Sequence, residues 1–396
     1  MTPDQGAERL FHATYGHRPQ AVWAAPGRVN LIGEHTDYNA GLVLPIALPQ
    51  RTYAAVARRT DQRLRFVSAD APAVADLDLA EIAPGHPAGW NRYPAGVLWA
   101  LRQAGYDVGG LDVAFVSEVP VGAGLSSSAA IEASMAAAAS DLFGLDLLDG
   151  DDRRAILAGL CQRAENDIAG APTGGMDQAA ALRAEAGHAL YLDCADGSIQ
   201  QVPFELASHG LRLLVIDTRA EHANADGQYG QRRADCDQAC ARLGIAALRQ
   251  IDPADLAGHL ARLPSEGLRR RVRHVVTEIG RVEAAVTALR AGDFEALGRL
   301  FVESHASLRD DYEVSSPELD LAVTTALECG ALGARMTGGG FGGSAIALIW
   351  QAAAVETEAA ITAAFADRGL EPPVYLLALA GPAAGRVESG GATGLG

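Results

Sequence analysis

The sequence of 396 residues contains no lysine, and all 32 of its Lys and Arg side chains are therefore arginines. This absence excludes several classes of enzyme. A Walker A phosphate loop, a pyridoxal phosphate Schiff base and the nucleotide site of a protein kinase each need a lysine. If this protein handles phosphate, it must do so with backbone amides, arginine side chains and a metal ion.

Disulfides, membrane spans and targeting signals are also not indicated. The five cysteines are odd in number and irregularly spaced, which argues against a disulfide framework. No apolar run approaches the roughly 18 residues that a spanning helix needs. The first ten residues are polar and acidic, unlike a secretory signal. A formal net charge of −17 argues against nucleic acid or an anionic membrane as the main partner. We expect a soluble, cytoplasmic monomer.

The length and the hydrophobic pattern together predict two domains of mixed α+β structure. At about 100–200 residues per domain, the chain is long enough for two, and 49% hydrophobic residues suffice for two cores. We place the domains at residues 1–195 and 196–385, followed by a disordered tail over 386–396. The region over 226–330 is predicted to be mostly helical. Strands are predicted over 22–32, 41–48, 52–58, 63–68, 111–119, 189–194, 211–217, 333–336, 344–350 and 374–380, and helices over 90–104, 127–143, 151–169, 266–290 and 356–367.

The most distinctive local pattern is a glycine- and serine-rich segment, PVGAGLSSSAA over residues 120–130, between a predicted strand and an alanine-rich helix. Its glycines permit close approach of the backbone, and the free amides of a helix's first turn can bind an anion. A serine-capped helix after a glycine turn is the alternative interpretation. However, three consecutive hydroxyls exceed what capping requires, and one of them could bind Mg²⁺.

A second glycine-rich segment, MTGGGFGGS over residues 336–344, lies between two predicted strands. Five glycines within six positions exceed the needs of a hairpin and indicate that something packs directly against this backbone. A flexible loop without a ligand is the alternative.

Two further segments carry polar side chains that suit a hydroxylated substrate. After a hydrophobic strand ends at Gly33, four polar residues follow over 34–37, and together they can accept and donate several hydrogen bonds. This suits a sugar or polyol, although a solvated turn is the alternative, and the spacing is not that of a zinc site. In APTGGMDQ over residues 171–178, a turn leads into Asp177. That residue is either a helix cap or a carboxylate that accepts the proton of an attacking hydroxyl.

Three of these segments resemble, in chain order, the three signature motifs of the GHMP kinase superfamily. They are the segments at residues 27–39, 120–130 and 336–344. The first, GRVNLIGEHTDYN over residues 27–39, resembles the galactokinase signature in particular, and the resemblance extends over residues 22–350. It implies an N-terminal α/β domain like ribosomal protein S5 and a ferredoxin-like α+β C-terminal domain. It also implies ATP-dependent phosphorylation of galactose at its anomeric (C1) hydroxyl, with a phosphate loop that has no Walker lysine.

The resemblance further implies roles for individual residues. Asp177 would be the catalytic base, and Arg28 would keep its carboxylate ionised and offset charge on the transferring phosphoryl group. Ser128 and Glu165 would bind Mg²⁺. The implied sugar contacts are Glu34, His35, Thr36, Asp37, Gly174 and Tyr229. The implied ATP contacts are Ser68, Gly122, Ala123, Gly124, Leu125, Ser126, Ser127 and Ser128.

The chain departs from the family pattern in two places, and two other functions stay open. Gly227 and Gln228 stand where Ser-Glu is common, and Ser344 stands where Cys is common. A sugar-sensing homologue that regulates a partner protein is one alternative, but the serine-rich loop that such homologues lose is intact. A kinase for N-acetylgalactosamine, arabinose or another small alcohol is the second. The full string GEHTDY over residues 33–38 favours a galactose-like substrate over mevalonate or homoserine.

Overall fold

The computed structural model describes residues 1–220 and 225–388. Its helices are α1 (Pro3–Tyr15), α2 (Arg92–Gln103), α3 (Ser127–Phe143), α4 (Asp151–Ala164), α5 (Met176–Arg183), α6 (Ala225–Leu243), α7 (Leu256–Ala261), α8 (Glu266–Ala291), α9 (Phe294–Ser307), α10 (Pro317–Glu328) and α11 (Ala354–Asp367). Its strands are β1 (Ala21–Asn30), β2 (Leu42–Val43), β3 (Pro45–Arg58), β4 (Arg63–Ser68), β5 (Ala71–Asp78), β6 (Leu111–Ser117), β7 (His188–Asp193), β8 (Ile199–Pro203), β9 (Leu211–Asp217), β10 (Gly333–Thr337), β11 (Ser344–Trp350), β12 (Val374–Ala378) and β13 (Gly385–Arg386).

A six-stranded sheet in the order β13-β1-β3-β6-β4-β5 organises the first half of the protein. Its pairings are antiparallel except between β4 and β6, which run parallel. Successive residues of a strand point to opposite faces, and both faces of β3 are buried: Ala54 and Val56 pack with α2, α3 and α4, whereas Ala55 packs with Phe11 of α1. The sheet is therefore covered by helices on both sides.

A four-stranded antiparallel sheet, β10-β11-β9-β12, organises the second half with α6 to α11. A third sheet, β2-β7-β8, lies beside it. One buried cluster contains Val29 of β1, Leu213 of β9, Val282 of α8 and Ile346 of β11. Because this cluster is continuous across both halves, the ends of β1 and β10 are held close together, and the site described below forms there. Among the described residues, no helix is both long enough and apolar enough to cross a bilayer.

Several predicted elements need correction at their ends or in their extent. Helix α1 was not predicted, although Pro3 opens it, Gln5 accepts a hydrogen bond from the Thr2 amide, and Gly16 ends it in the left-handed conformation. The strands predicted over 41–48 and 52–58 are mainly one long strand, β3. A register shift against β1 between Pro26 and Arg28 lets β3 continue, and such a bulge bends a strand without ending it.

The end of the chain also differs from the prediction. The prediction of a disordered tail from residue 386 is wrong for the first residues of that tail. Arg386 pairs with Trp23 of β1, and the Val387 amide donates to the Val22 carbonyl at 2.9 Å. Residues 389–396 lie outside the described residues. The boundary between 195 and 196 falls in the turn that joins the paired strands β7 and β8, and the division into these two domains stays a prediction.

Candidate active site

Arg28 lies in β1, next to the register shift against β3, and makes contacts that join three parts of the chain. Its Nε and Nη2 donate to the two carboxylate oxygens of Asp177 at 2.8 and 3.0 Å, and its Nη1 donates to the Gly124 carbonyl at 2.6 Å. The bidentate geometry is the most directional form of an ion pair. The arginine side chain is almost fully buried, so water competes little for these bonds.

Asp177 lies in the first turn of α5, where the helix dipole favours a negative charge. In addition to Arg28, its carboxylate accepts a hydrogen bond from the Ser126 hydroxyl at 2.5 Å. The structure thus brings the two predicted catalytic residues together. It also places their ion pair in direct contact with the glycine- and serine-rich loop.

A cavity of about 140 Å³ opens beside Asp177. Its lining residues are Arg28, Glu34, His35, Asp37, Thr173, Gly175, Met176, Asp177, Tyr229, Gly338 and Gly339. Four predicted sugar contacts are therefore in its wall, together with residues that sequence reasoning missed, such as Thr173 and Met176. A larger groove of about 580 Å³ lies between α10 and α11, but it contains none of the predicted site residues.

The other two predicted sugar contacts support the wall from outside the cavity lining. The Thr36 hydroxyl donates to the carbonyls of Gly33 and Leu42 at 2.8 and 2.6 Å and so holds the turn together. Gly174 leaves room for the Asp37 carboxylate, because a Cβ atom at position 174 would lie 2.4 Å from it. Both residues shape the site through their neighbours.

Asp37 is fully buried, and this burial raises the pKa of its carboxyl group to about 6. The negative charge of Asp177 adds to the effect, while hydrogen bonds from the backbone amides of Tyr38 and Gly174 oppose it. A carboxylate with these two backbone donors is well placed to accept hydrogen bonds from substrate hydroxyls in its ionised form.

Glu34 is held by residues from the second half of the chain. Arg335 forms a fully buried salt bridge with its carboxylate, and Thr337 and the Gly338 amide donate to Oε1 at 3.2 and 3.1 Å. Burial raises the pKa of Glu34, and Arg335 opposes that shift. The His274 Nε2 atom hydrogen-bonds to the Glu34 carbonyl at 3.1 Å.

His35 uses both ring nitrogens within the protein. Nε2 contacts the Gly339 carbonyl at 3.2 Å, so it must carry the proton, and Nδ1 accepts from the Tyr38 hydroxyl at 2.9 Å. The Tyr312 hydroxyl lies 2.8 Å from that of Tyr38 and extends this chain of bonds. Burial lowers the pKa of His35 to about 3. We conclude that the imidazole is neutral and orients the cavity wall.

In the predicted phosphate loop, two alternate residues are held by burial of their side chains. Ala123 and Leu125 are buried, whereas Val121 is 78% exposed. Ser344, one of the family departures, donates to the Ala123 carbonyl at 2.7 Å. A Cβ atom at Gly338 would lie 2.9 Å from the Gly124 carbonyl. The second glycine-rich segment is therefore packed directly against a backbone, as predicted. That backbone belongs to the phosphate loop.

The predicted metal ligands face each other across the start of α3. The Ser128 hydroxyl donates to Glu165 Oε1 at 2.9 Å, and Glu165 begins a turn of π-helix that interrupts the predicted helix over 151–169. Such turns recur at functional sites. Burial, and secondarily the charge of Asp177, raise the pKa of Glu165, so a cation beside it would relieve an unfavourable charge.

The donor set fits Mg²⁺ that is bound together with a nucleotide. Mg²⁺ prefers oxygen ligands and is commonly held by one or two protein groups plus substrate phosphates. Ser128 and Glu165 provide two such oxygens beside the phosphate loop. Within residues 1–220 and 225–388, no group of three or more His, Cys, Asp or Glu side chains forms a metal site from protein groups alone.

Ser68 is the predicted ATP contact that the structure places apart from these residues. It ends β4 opposite Phe115 of β6, and its hydroxyl accepts from the Asp70 amide at 3.4 Å. It does not line the cavity, and its contact with nucleotide stays a prediction.

Comparison with known families gives three matches along the chain. The galactokinase galactose-binding signature matches residues 9–58, the GHMP kinases N terminal domain matches residues 92–185, and the GHMP kinases C terminal domain matches residues 285–367. These ranges contain Arg28, the phosphate loop and Asp177.

Individual relatives extend the likeness over nearly the whole chain. A galactokinase of Streptomyces coelicolor is 56% identical over 92% of this chain and 93% of its own, and one of Mycobacterium tuberculosis is 42% identical over 91% and 98%. The crystal structure of Lactococcus lactis galactokinase complexed with galactose superposes with a TM-score of 0.91 at 32% identity, covering 96% of this chain and 98% of that one. A mevalonate kinase structure, at 17% identity and a TM-score of 0.61, shares the fold alone. The family and fold class predicted from the motifs are thereby confirmed. The chain belongs to the galactokinase family of the GHMP kinase superfamily.

Proposed function

We propose that this protein transfers the γ-phosphoryl group of ATP to the C1 hydroxyl of galactose, giving galactose 1-phosphate and ADP. The observation that carries the proposal is the position of Asp177. Its carboxylate lines the cavity and at the same time contacts Arg28 and the Ser126 hydroxyl of the phosphate loop. A hydroxyl group in the cavity and a phosphate on the loop would meet at this carboxylate.

In the proposed reaction, the C1 oxygen attacks the γ-phosphorus while the bond between that phosphorus and the β–γ bridging oxygen breaks. Asp177 accepts the hydroxyl proton. Because the transition state of phosphoryl transfer is loose, proton transfer comes late and positioning with charge stabilisation supplies most of the rate. Arg28 contributes positive charge next to the transferring group and holds the carboxylate in place.

In this proposal, the phosphate loop over residues 122–128 and one metal ion bind the phosphates of ATP. The backbone of residues 122–128 would wrap the nucleotide phosphates at the start of α3, where the helix dipole attracts anions. Ser128 and Glu165 would hold Mg²⁺, which neutralises charge on the β- and γ-phosphates when it is bound. This division of labour needs no lysine.

A coupled assay of ADP release tests the proposal. The purified protein is given Mg·ATP and, separately, galactose, N-acetylgalactosamine, arabinose, glucose and mevalonate. We expect galactose to give the highest kcat/KM, because the galactokinase galactose-binding signature matches residues 9–58 and the Asp37 carboxylate lines the cavity beside Asp177. If no acceptor gives ADP while sugar still binds, the protein is instead a sensor. If N-acetylgalactosamine or arabinose gives a higher kcat/KM than galactose, the acceptor is misassigned.

The raised pKa of Asp37 gives a pH prediction for the same assay. With a pKa of about 6, the carboxyl group is ionised above that pH and protonated below it. Protonation removes acceptor capacity, so kcat/KM for galactose should fall tenfold per unit as pH decreases below about 6. The pH dependence of kcat/KM reports the free enzyme, which is the state the structure describes.

Asp37→Asn is the control for this assignment, since an amide of the same shape does not titrate in this range. We expect it to lower kcat/KM at neutral pH and to abolish the decline near pH 6. A variant that keeps the full decline would assign the titration to another group.

A monomeric state and a cytoplasmic location stay proposals, and only the second is based on composition. Sedimentation of the purified protein at several concentrations tests the first. A mass that rises to twice that of one chain would contradict it.

A further inference from the structure

Gln178 follows Asp177 on α5 and is fully buried. Its Nε2 atom donates to Glu165 Oε2 at 2.6 Å and to Glu132 Oε2 at 3.0 Å. No role in the reaction follows for Gln178 from the proposed function. Yet it directly contacts the carboxylate that would bind the metal ion.

The two oxygens of Glu165 have different partners. Oε1 accepts from Ser128, the other predicted metal ligand, whereas Oε2 accepts from Gln178 and from the Thr173 hydroxyl at 3.1 Å. With two protein donors on Oε2, the carboxylate cannot rotate without breaking both bonds. Oε1 is thereby directed to the position beside Ser128.

Glu132 is the second hydrogen-bond partner of the Gln178 amide nitrogen. It is fully buried, and its Oε2 lies 3.0 Å from Gln178 Nε2. If the amide were reversed, its carbonyl oxygen would face oxygens of both Glu132 and Glu165. Glu165 Oε2 already accepts from Thr173 and cannot donate, so a carbonyl opposite it would leave buried groups unpaired at a cost of about 1–3 kcal/mol per group. The amide nitrogen is therefore held toward Glu165.

We propose that Gln178, supported by Glu132 and assisted by Thr173, is a positioning residue that orients Glu165 as a metal ligand through Oε1. The inference rests on the proposed function. Adjacent residues on a helix point about 100° apart, so α5 directs Asp177 to the sugar cavity and Gln178 to the metal ligand. One helical turn thus carries both the proposed catalytic base and the residue that orients the predicted metal ligand.

The test measures metal binding without turnover. Mn²⁺ replaces Mg²⁺, and its dissociation constant is measured by electron paramagnetic resonance in the presence of a non-hydrolysable ATP analogue. Gln178→Met keeps the side-chain length but removes the donor. We expect Mn²⁺ affinity to fall by about 10–100-fold, the usual effect of removing a group that orients a metal ligand. In the assay, the metal concentration for half-maximal rate should rise while KM for galactose at saturating metal stays unchanged.

Gln201→Met is the matched control. Gln201 also donates a partly buried amide, to the Arg183 carbonyl at 2.8 Å, but it lies on β8 and outside the cavity lining. Its substitution should leave Mn²⁺ affinity at the parent value. Unchanged Mn²⁺ affinity in a folded Gln178→Met protein overturns the inference. So does an equal loss in the Gln201→Met control.

If Gln178→Met does not fold, Thr173→Val replaces it in the test. Thr173 lies on a part-exposed loop and donates to the same oxygen of Glu165. Its loss should also weaken Mn²⁺ binding, and unchanged binding overturns the inference. These outcomes are separate from a failure of the proposed function. That failure appears as a parent protein that binds Mn²⁺ and nucleotide but does not phosphorylate galactose.

Discussion

Asp177→Asn is expected to lower kcat for galactose phosphorylation by about 10²–10⁴-fold, the usual contribution of an acid–base group. The amide has the same shape as the carboxylate and can still accept a hydrogen bond from Arg28. It cannot take up the proton of the attacking hydroxyl, and it removes the negative charge that faces Arg28. The measurement is single-turnover formation of galactose 1-phosphate, which isolates the chemical step from product release.

Two controls separate a catalytic effect from a loss of structure. Binding of a non-hydrolysable ATP analogue should stay close to the parent value, because α5 and the phosphate loop remain in place. The Tm should fall but leave the protein folded at the assay temperature, because the charge that pairs with the buried Arg28 is lost. Asp167→Asn changes an exposed aspartate ten residues earlier, which pairs with Arg163 across one helical turn. It should keep the parent rate. Nearly full turnover by Asp177→Asn would mean that another group, or water, accepts the proton.

Arg335→Met is expected to have the largest effect on stability. The Arg335 side chain has no exposed surface, and it bonds to the Glu34 carboxylate, to the Leu31 carbonyl at 2.9 Å and to the Ser304 hydroxyl at 3.2 Å. Glu278 Oε1 lies 3.7 Å away. Removing the guanidinium takes away a positive charge that stabilises the buried carboxylates of Glu34 and Glu278. Breaking one side of a buried ion pair costs about 3–5 kcal/mol of unfolding free energy.

Equilibrium unfolding in urea measures this loss as a shift of the midpoint at constant slope. Arg163→Met is the control, since Arg163 forms an exposed pair with Asp167. Such pairs contribute about 0.3–0.5 kcal/mol. Adding Glu34→Gln to Arg335→Met should recover part of the loss, because the uncompensated charge is then gone. If Arg335→Met were no less stable than the control, the buried ion pair would not hold the two halves together.

Arg28 and Arg335 differ in whether their partners can be predicted from the sequence. Arg28 lies within a recognisable motif, so its partner could be inferred from the resemblance. Arg335 lies in a segment that reads as an ordinary buried strand, 301 residues from Glu34 in the chain. A contact at such separation leaves no local periodicity or spacing that could reveal it. The same holds for Gln178, whose partner Glu132 lies 46 residues away on another helix.

Some helices and strands also begin or end at residues other than those predicted from local sequence patterns. Helix α1 was not predicted, although a proline begins it and a glycine ends it. Two predicted strands are mainly one strand with a bulge opposite Arg28. The end of the chain has few apolar residues, yet Arg386 pairs with β1 because that strand has a free edge for it. Pairing partners, unlike helical periodicity, are supplied by distant parts of the chain.

By itself, the sequence determined the class of chemistry. The absence of lysine excluded lysine-dependent phosphate sites, and three separated motifs indicated the family, because a close approach of the backbone requires glycine at that position in the sequence. Only the tertiary structure decided how the predicted residues divide the work. It placed Asp37 in the cavity wall, Thr36 behind it, and Gln178 against Glu165. These positions follow from burial and hydrogen-bond partners, and both depend on residues that meet only after the chain has folded.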